Sequence, residues 1–310
     1  MKNKGLTKLE KKIQKEYDAR MSAVNAGVLA RAKPYDEALK SMKAGLLNGS
    51  VSSTEYRAWL RRQMITSAWS KSAADFVNGE LYALNQTANK LIRNEMAPAF
   101  MFGYNTGLYE IEKGLKTGLK FNLLDKKTME RLMAENPTLL PAAREFGWGR
   151  RRVHSALVQS MLRGEGSKGL AKRLEMTVGM EKVSAIRNAR TMITACENAG
   201  RIEMASEAEE RGIKLEKVWL ATLDERTRES HREMDGVAKP IDEPFVLTDD
   251  KGNTSELMFP ADPDGDPAQV YNCRCTLIYN VNNSIESVDP NVINRRSKIE
   301  NYDDWKSRHR

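Results

Sequence analysis

The chain has 310 residues, 40% of them apolar, enough to bury one or two ordinary cores without covalent staples. Three cysteines, Cys196, Cys273 and Cys275, exclude a secreted disulfide framework, and the longest apolar run, around Met96 to Phe102, falls far short of the roughly 20 residues that cross a bilayer. The net charge of +8 is unevenly spread: residues 1–200 hold 34 Lys and Arg against 19 Asp and Glu, a surplus of 15, and residues 201–310 hold 16 against 23, a deficit of 7.

No apolar signal segment follows Met1-Lys2-Asn3-Lys4-Gly5, so neither a targeting segment nor a membrane anchor is expected. Instead Leu6, Leu9, Ile13, Tyr17, Met21, Val24 and Val28 recur at steps of three and four, with Lys8, Lys11, Lys12 and Lys15 between them, which is an amphipathic helix. A second helix starts after Gly49, where Ser52 and Glu55 have capping-box spacing, and its pattern runs almost to Pro98. Asn136-Pro137 and Gly147-Trp148-Gly149 interrupt the periodicity, which resumes through Val153, Leu157, Val158 and Met161 and closes at Gly164-Glu165-Gly166. Lys168 to Leu174 reads as a short helix and Lys182 to Arg211 as a longer one, ended by Gly212 in a left-handed cap.

After that glycine the pattern changes. Lys214 to Thr222, Phe245 to Leu247, Leu257 to Phe259 and Arg274 to Val281 have strand composition, separated by Asp-, Gly- and Pro-rich turns. The expected fold class is α+β: a mainly helical, extended and basic N-terminal domain over residues 1–179, then a small α+β domain over 180–282 with an antiparallel sheet packed on the Lys182–Arg211 helix. Residues 283–310 read as a polar tail, frayed from Asn301 onward. The positive surplus of the helical part favours DNA or an acidic protein surface, and solvated helix faces rich in lysine account for it equally well.

Three pieces of the second domain carry the most specific information. The first is Arg190-Thr191 on the long helix; the second runs from Trp219 through Asp224, Arg226, Arg228 and His231 to Asp235-Gly236; the third is Asn272-Cys273-Arg274-Cys275. Their order over about residues 165–280 resembles the C-terminal module of the Mu F-like minor head proteins of tailed phages, a head morphogenesis family. The resemblance implies a minor subunit of the phage head interior near the portal, present in few copies. It also implies docking on the portal protein, the inner capsid or a scaffold during procapsid assembly in the host cytoplasm, with DNA contact in some members. Some relatives carry a toxin domain after the module, for which the stretch beyond Cys275 is too short. No catalytic or cofactor-binding residue is implied by the resemblance, and the motif residues are expected to be structural.

The residues themselves leave alternatives open. Were Asp224 to Asp235 helical, Asp224, Arg228, His231 and Asp235 would share one stripe. His231, Asp235, Cys273 and Cys275 are the candidate ligands of a zinc ion, because thiolate, imidazole and carboxylate are its usual donors. Against that, thiols two apart on a flat strand are too far apart for one tetrahedral ion, so a packing role is favoured and no metal is assigned. Arg226 and Arg228 either pair with Asp224 and Glu225 in a salt-bridged knot or contact a partner, and pairing is favoured. Asp262, Asp264 and Asp266 imitate a calcium loop whose glycine and terminal glutamate are missing, and read as a turn. A hydrolase or nuclease centred on Asp224 and His231 is the alternative function; Gly-rich phosphate loops, His-Glu-x-x-His and Gly-x-Ser-x-Gly are all absent, and His154 and His309 stand alone.

Overall fold

The computed structural model describes residues 4–66, 68–141, 150–281, 293–294 and 301–308. In chain order these form α1 (Lys4–Leu47), α2 (Ser53–Thr66), α3 (Ala68–Leu115), β1 (Gly118–Leu119), α4 (Lys126–Glu135), α5 (Arg150–Leu162), α6 (Ser167–Glu210), β2 (Leu215–Leu220) and α7 (Glu229–Glu233). Next come β3 (Ala238–Pro240), β4 (Phe245–Thr248), β5 (Thr254–Leu257), α8 (Pro267–Val270), β6 (Thr276–Val281), β7 (Ile293–Asn294) and α9 (Tyr302–Arg308). The class is α+β, helical first and with small antiparallel sheets toward the C-terminus. Among the described residues no helix is long and apolar enough to cross a membrane. The Gly147-Trp148-Gly149 punctuation and His309 lie outside the described residues.

The chain divides into two compact units: one of Glu10–Leu91 and Glu145–Ile186, the other of Met1–Leu9, Ile92–Arg144 and Arg187–Arg310. In the first, α1 buries Ile13, Tyr17, Val24 and Val28 as its periodicity predicts, and the stripe continues through Ala32, Tyr35 and Leu39. The capping box forms at the start of α2: Ser52 N donates to Glu55 Oε2 at 2.8 Å and Glu55 N to Ser52 Oγ at 3.2 Å. Two expected helix boundaries do not appear. Pro98 lies inside α3, because the one amide it withholds is outweighed by the buried face of Met96, Ala99, Phe100 and Tyr104. The two helices expected over 168–211 are one, α6, since Gly179 between them costs only about 1 kcal/mol and Leu174, Val178 and Ala185 keep the buried stripe in phase. Its end is as expected, with Gly212 at φ +85.

In the other unit α3 and α6 approach to backbone contact. A Cβ on Gly103 would stand 1.9 Å from the Glu197 carbonyl oxygen, and one on Gly200 would stand 2.1 Å from that of Phe100, so only glycine fits at both crossing points. The main sheet has the order β3-β2-β6, antiparallel throughout, with Trp219 opposite Leu277 and Val218 opposite Ile278. Its core joins Trp219, Phe245, Leu247, Leu257 and Leu277 to Ala195 of α6 and to Cys273 and Cys275. The tail expectation is corrected at Asn301 to Arg310: α9 buries Tyr302 and Trp305 against Tyr109. Two large aromatic rings offer more apolar surface than the polar residues around them take away.

Candidate functional site

Strand β2 delivers the chain to the site, and local hydrogen bonding sets the conformation of residues 222–233. Asp224 accepts from the backbone N–H of Arg226 at 3.0 Å, and the Thr227 hydroxyl bonds the Thr222 carbonyl. This side-chain turn competes with helix, so only Glu229–Glu233 is helical and the stripe conditional on a longer helix does not form. The four residues take separate partners instead. Asp224 pairs with Arg274, Arg228 Nη2 donates to the Tyr271 carbonyl at 2.5 Å, and Asp235 Oδ1 accepts from Ala221 N at 2.8 Å. His231 turns inward.

The Asn272-Cys273-Arg274-Cys275 segment is not a strand. It lies between α8 and β6, and Asn272 takes φ +58, a left-handed conformation that Asn tolerates better than most residues. Its N–H donates to Thr191 Oγ1 at 3.1 Å, which anchors the bend to α6. Both thiols therefore swing to one point. His231 Nδ1 lies 3.4 Å from Cys275 Sγ and 3.8 Å from Cys273 Sγ, and all three side chains are buried. The other ring nitrogen, Nε2, faces Gln269 Oε1 at 3.2 Å, and that oxygen also accepts from Ser230 Oγ at 2.9 Å. Trp219 sets its ring edge-to-face against the imidazole, centroids 5.4 Å apart.

The electrostatics arise from this packing. The neighbouring Cys273 thiol pulls the Cys275 thiol below its ordinary range, against the opposing effect of burial. The same contact, with burial, pushes Cys273 up. Arg274 holds the Asp224 carboxyl well below the usual carboxylate range. The cavity bordered by His231, Cys273, Cys275, Thr222 and Arg228 has a volume of about 10 Å³, room for about one atom-sized occupant.

The structure thus gathers Thr191, Trp219, Arg228, His231, Asn272, Cys273 and Cys275 into one site, with the Asp224–Arg274 pair at its rim. Asp235 and Gly236 brace the β2 end: Gly236, at φ +79, donates its N–H to the Trp219 carbonyl at 2.8 Å. Arg226 is exposed and Arg190 half-buried. Asp262 and Asp266 serve the turn, accepting from Met258 N at 2.8 Å and Ala268 N at 2.6 Å. His154 is exposed on α5. Sequence reasoning missed Gln269, Asn198 and Lys217. Asn198 Nδ2 donates to the carbonyls of Pro260 at 2.8 Å and Cys275 at 3.2 Å, while its Oδ1 accepts from Leu277 N at 3.2 Å. An asparagine within the apolar face of a helix was the available signal.

The family model described as Phage Mu protein F like protein matches residues 151–278. The chain is 25% identical over 293 residues to the minor head protein of Bacillus phage SPP1, covering 91% of this chain and 85% of that protein. It is 26% identical over 241 residues to an NAD(+)–arginine ADP-ribosyltransferase of Enterococcus faecalis, covering 76% of this chain and 48% of that protein. A Haemophilus influenzae protein matches at 29% over 158 residues, 50% of this chain and 30% of its own length. The chain thus spans most of the first relative but about half of the second and under a third of the third. No solved structure matches. Residues 151–278, which hold His231, Cys273 and Cys275, thus match the Mu F-like family, and the chain over most of its length is similar to a phage minor head protein.

Proposed function

We propose that the chain is a minor structural protein of a tailed-phage head. It docks on the portal protein, the inner capsid or a scaffold during procapsid assembly and contacts DNA through its basic helical unit. The observation that carries this reading is the match to the SPP1 minor head protein, which takes in 91% of this chain and 85% of that one and so includes both the helical part and the module. Charge supports it. The unit of Glu10–Leu91 and Glu145–Ile186 holds 21 Lys and Arg against 12 Asp and Glu, a surplus of 9, whereas the rest of the chain holds 29 against 30. Net positive charge on one compact unit attracts phosphate or acidic protein over about a Debye length.

The enzymatic alternative finds less support. The carboxylate of Asp224 is engaged by Arg274 and the 224–227 turn, and His231 faces sulfur and Gln269, so the two are not arranged as a base and its orienting partner. The Enterococcus relative's name belongs to a protein of which this chain covers 48%. The test is quantification of the chain in purified procapsids and mature heads. A structural subunit is present in a fixed small number of copies, and heads formed without it are defective. Absence from both particles, with normal heads made in its absence, would sink the proposal.

A further inference from the structure

We propose that His231, Cys273 and Cys275 hold one zinc ion, bound through Nδ1 and the two Sγ atoms, with a solvent molecule as fourth ligand. Zinc–nitrogen and zinc–sulfur bonds of about 2.05 and 2.3 Å at a tetrahedral angle put nitrogen and sulfur about 3.6 Å apart. The two distances here, 3.4 and 3.8 Å, bracket that value, and all three ligand atoms lie within 4.8 Å of one another. The objection from sequence, that thiols two apart point along a flat strand, does not apply: the left-handed Asn272 and the irregular segment before β6 bring both sulfurs to one side of the imidazole.

The surroundings also suit a ligand histidine. Gln269 Oε1 can only accept, and it already accepts from Ser230, so Nε2 carries the proton and the Nδ1 lone pair points at the sulfurs. Ligand histidines are oriented in this way by a carbonyl on the far nitrogen. Two thiolates and a divalent ion sum to zero charge, which suits a site whose three side chains are each no more than 3% exposed. Soft sulfur donors select zinc over magnesium or calcium. The cavity of about 10 Å³ that these residues border is on the scale of one small occupant such as the ion. Asp235, a candidate from sequence, is outside the cluster, its Oδ1 accepting from Ala221 N. Binding releases the two thiol protons to solvent and ties α7 to the turn between α8 and β6, so the role is structural and independent of any partner in the head.

The test uses the full chain. Purified after expression with added zinc, it should carry close to one equivalent by elemental analysis, and chelation should lower its melting temperature. Cys273→Ser, Cys275→Ser and His231→Ala should each lose the metal, whereas Cys196→Ser, which removes the buried α6 thiol away from the site, should keep it. Folding failure of those variants does not obscure the answer. The demetallated parent, titrated with cobalt(II), should show the visible absorption of a tetrahedral site and thiolate-to-cobalt charge transfer, saturating at about one equivalent. Negligible zinc together with no cobalt spectrum would overturn the proposal, as would a Cys273–Cys275 disulfide, seen as a loss of about two mass units, in chain purified under reducing conditions.

Discussion

Asp224 and Arg274 meet fork to fork, Arg274 Nη2 donating to Asp224 Oδ1 at 2.6 Å and Nη1 to Oδ2. The pair joins the turn after β2 to the segment that carries both site thiols, so it sets where the sulfurs stand relative to His231. Its partial exposure limits what it contributes as an isolated ion pair. Its effect is on register between two irregular segments, neither of which has ladder hydrogen bonds of its own to fix it.

The first prediction rests on the sign of that interaction. Arg274 holds the Asp224 carboxyl below its ordinary value of 3.8, so the stabilising contribution is complete above that value and is lost as pH falls through the folded-state one. Asp224→Asn should therefore be less stable than the parent near neutral pH, with the gap closing in acid. Urea midpoints at about pH 7 and about pH 3 measure this. A gap of the same size at both would remove the ion pair as its cause.

Lys217 gives the opposite limb. It is fully buried on β2 with Nζ donating to the carbonyls of Ile241 and Met258, both at 2.9 Å, and burial pushes its pKa down to about 8 from 10.5, against the pull of Asp242, Asp262 and Glu243. Between those two values the unfolded chain binds the proton that the folded chain has released, so stability rises with pH. Above about 10 the buried tyrosines Tyr17, Tyr104 and Tyr279, whose values are raised by burial, reverse the trend as the unfolded chain ionises first. The prediction is a rise in melting temperature from about pH 8 to about pH 9, below the range where the raised thiols of Cys196 and Cys273 oppose it, that is smaller in Lys217→Met than in the parent. An identical profile in the variant would show that the lysine is not the source.

Asn198 should behave as a keystone of the module. Alanine there removes partners from two buried carbonyls and from the Leu277 amide, at about 1–3 kcal/mol for each group left unsatisfied after relaxation, so a total loss of about 2–4 kcal/mol is expected from denaturant unfolding. A change under about 0.5 kcal/mol would mean that water replaces the side chain without cost.

Much of this architecture was legible because it depends on local chemistry. The Ser52–Glu55 box, the Gly212 cap and the strands around Trp219 and Leu277 are dictated by residue type and period. The order of Thr191, Trp219, His231 and the two thiols picked out the site. The features that escaped depend on backbone geometry or distant neighbours. The bend at Asn272 requires a positive φ that composition permits but does not demand. The Gly103 and Gly200 crossing is visible only once α3 and α6 are placed together, since an isolated helical glycine otherwise reads as a small penalty. Gln269 acquires its meaning from the imidazole it faces.

The basic unit makes a salt-dependent prediction. Arg57 and Arg61 on α2 and Arg151 on α5 are exposed. If they lie on phosphates, binding of the full chain to duplex DNA should fall linearly with log salt, and replacing each by Gln should lower the slope by about one. Binding that is absent at low salt, or flat across the range, would eliminate the DNA part of the proposed function and leave docking on protein.

The final prediction concerns Trp305, which the sequence placed in a frayed tail. The indole is fully buried, packs edge-to-face on Tyr109 with centroids 5.4 Å apart, and donates its N–H to Glu112 Oε2, a buried carboxylate whose other oxygen accepts from Leu119 N at 2.7 Å. Two contributions can be separated by substitution. Trp305→Phe keeps most of the apolar contact but removes a donor from a buried carboxylate, a loss of about 1–3 kcal/mol. Trp305→Ala removes the ring as well and should cost about 3–5 kcal/mol. The expected order of denaturant midpoints is parent, then Phe, then Ala, because packing and hydrogen bonding act on the same side chain in the same direction. Equal midpoints for all three would show that α9 does not contribute to the stability of this unit. A Phe variant as unstable as Ala would place the whole effect in the Glu112 bond, since only the donor is missing from both.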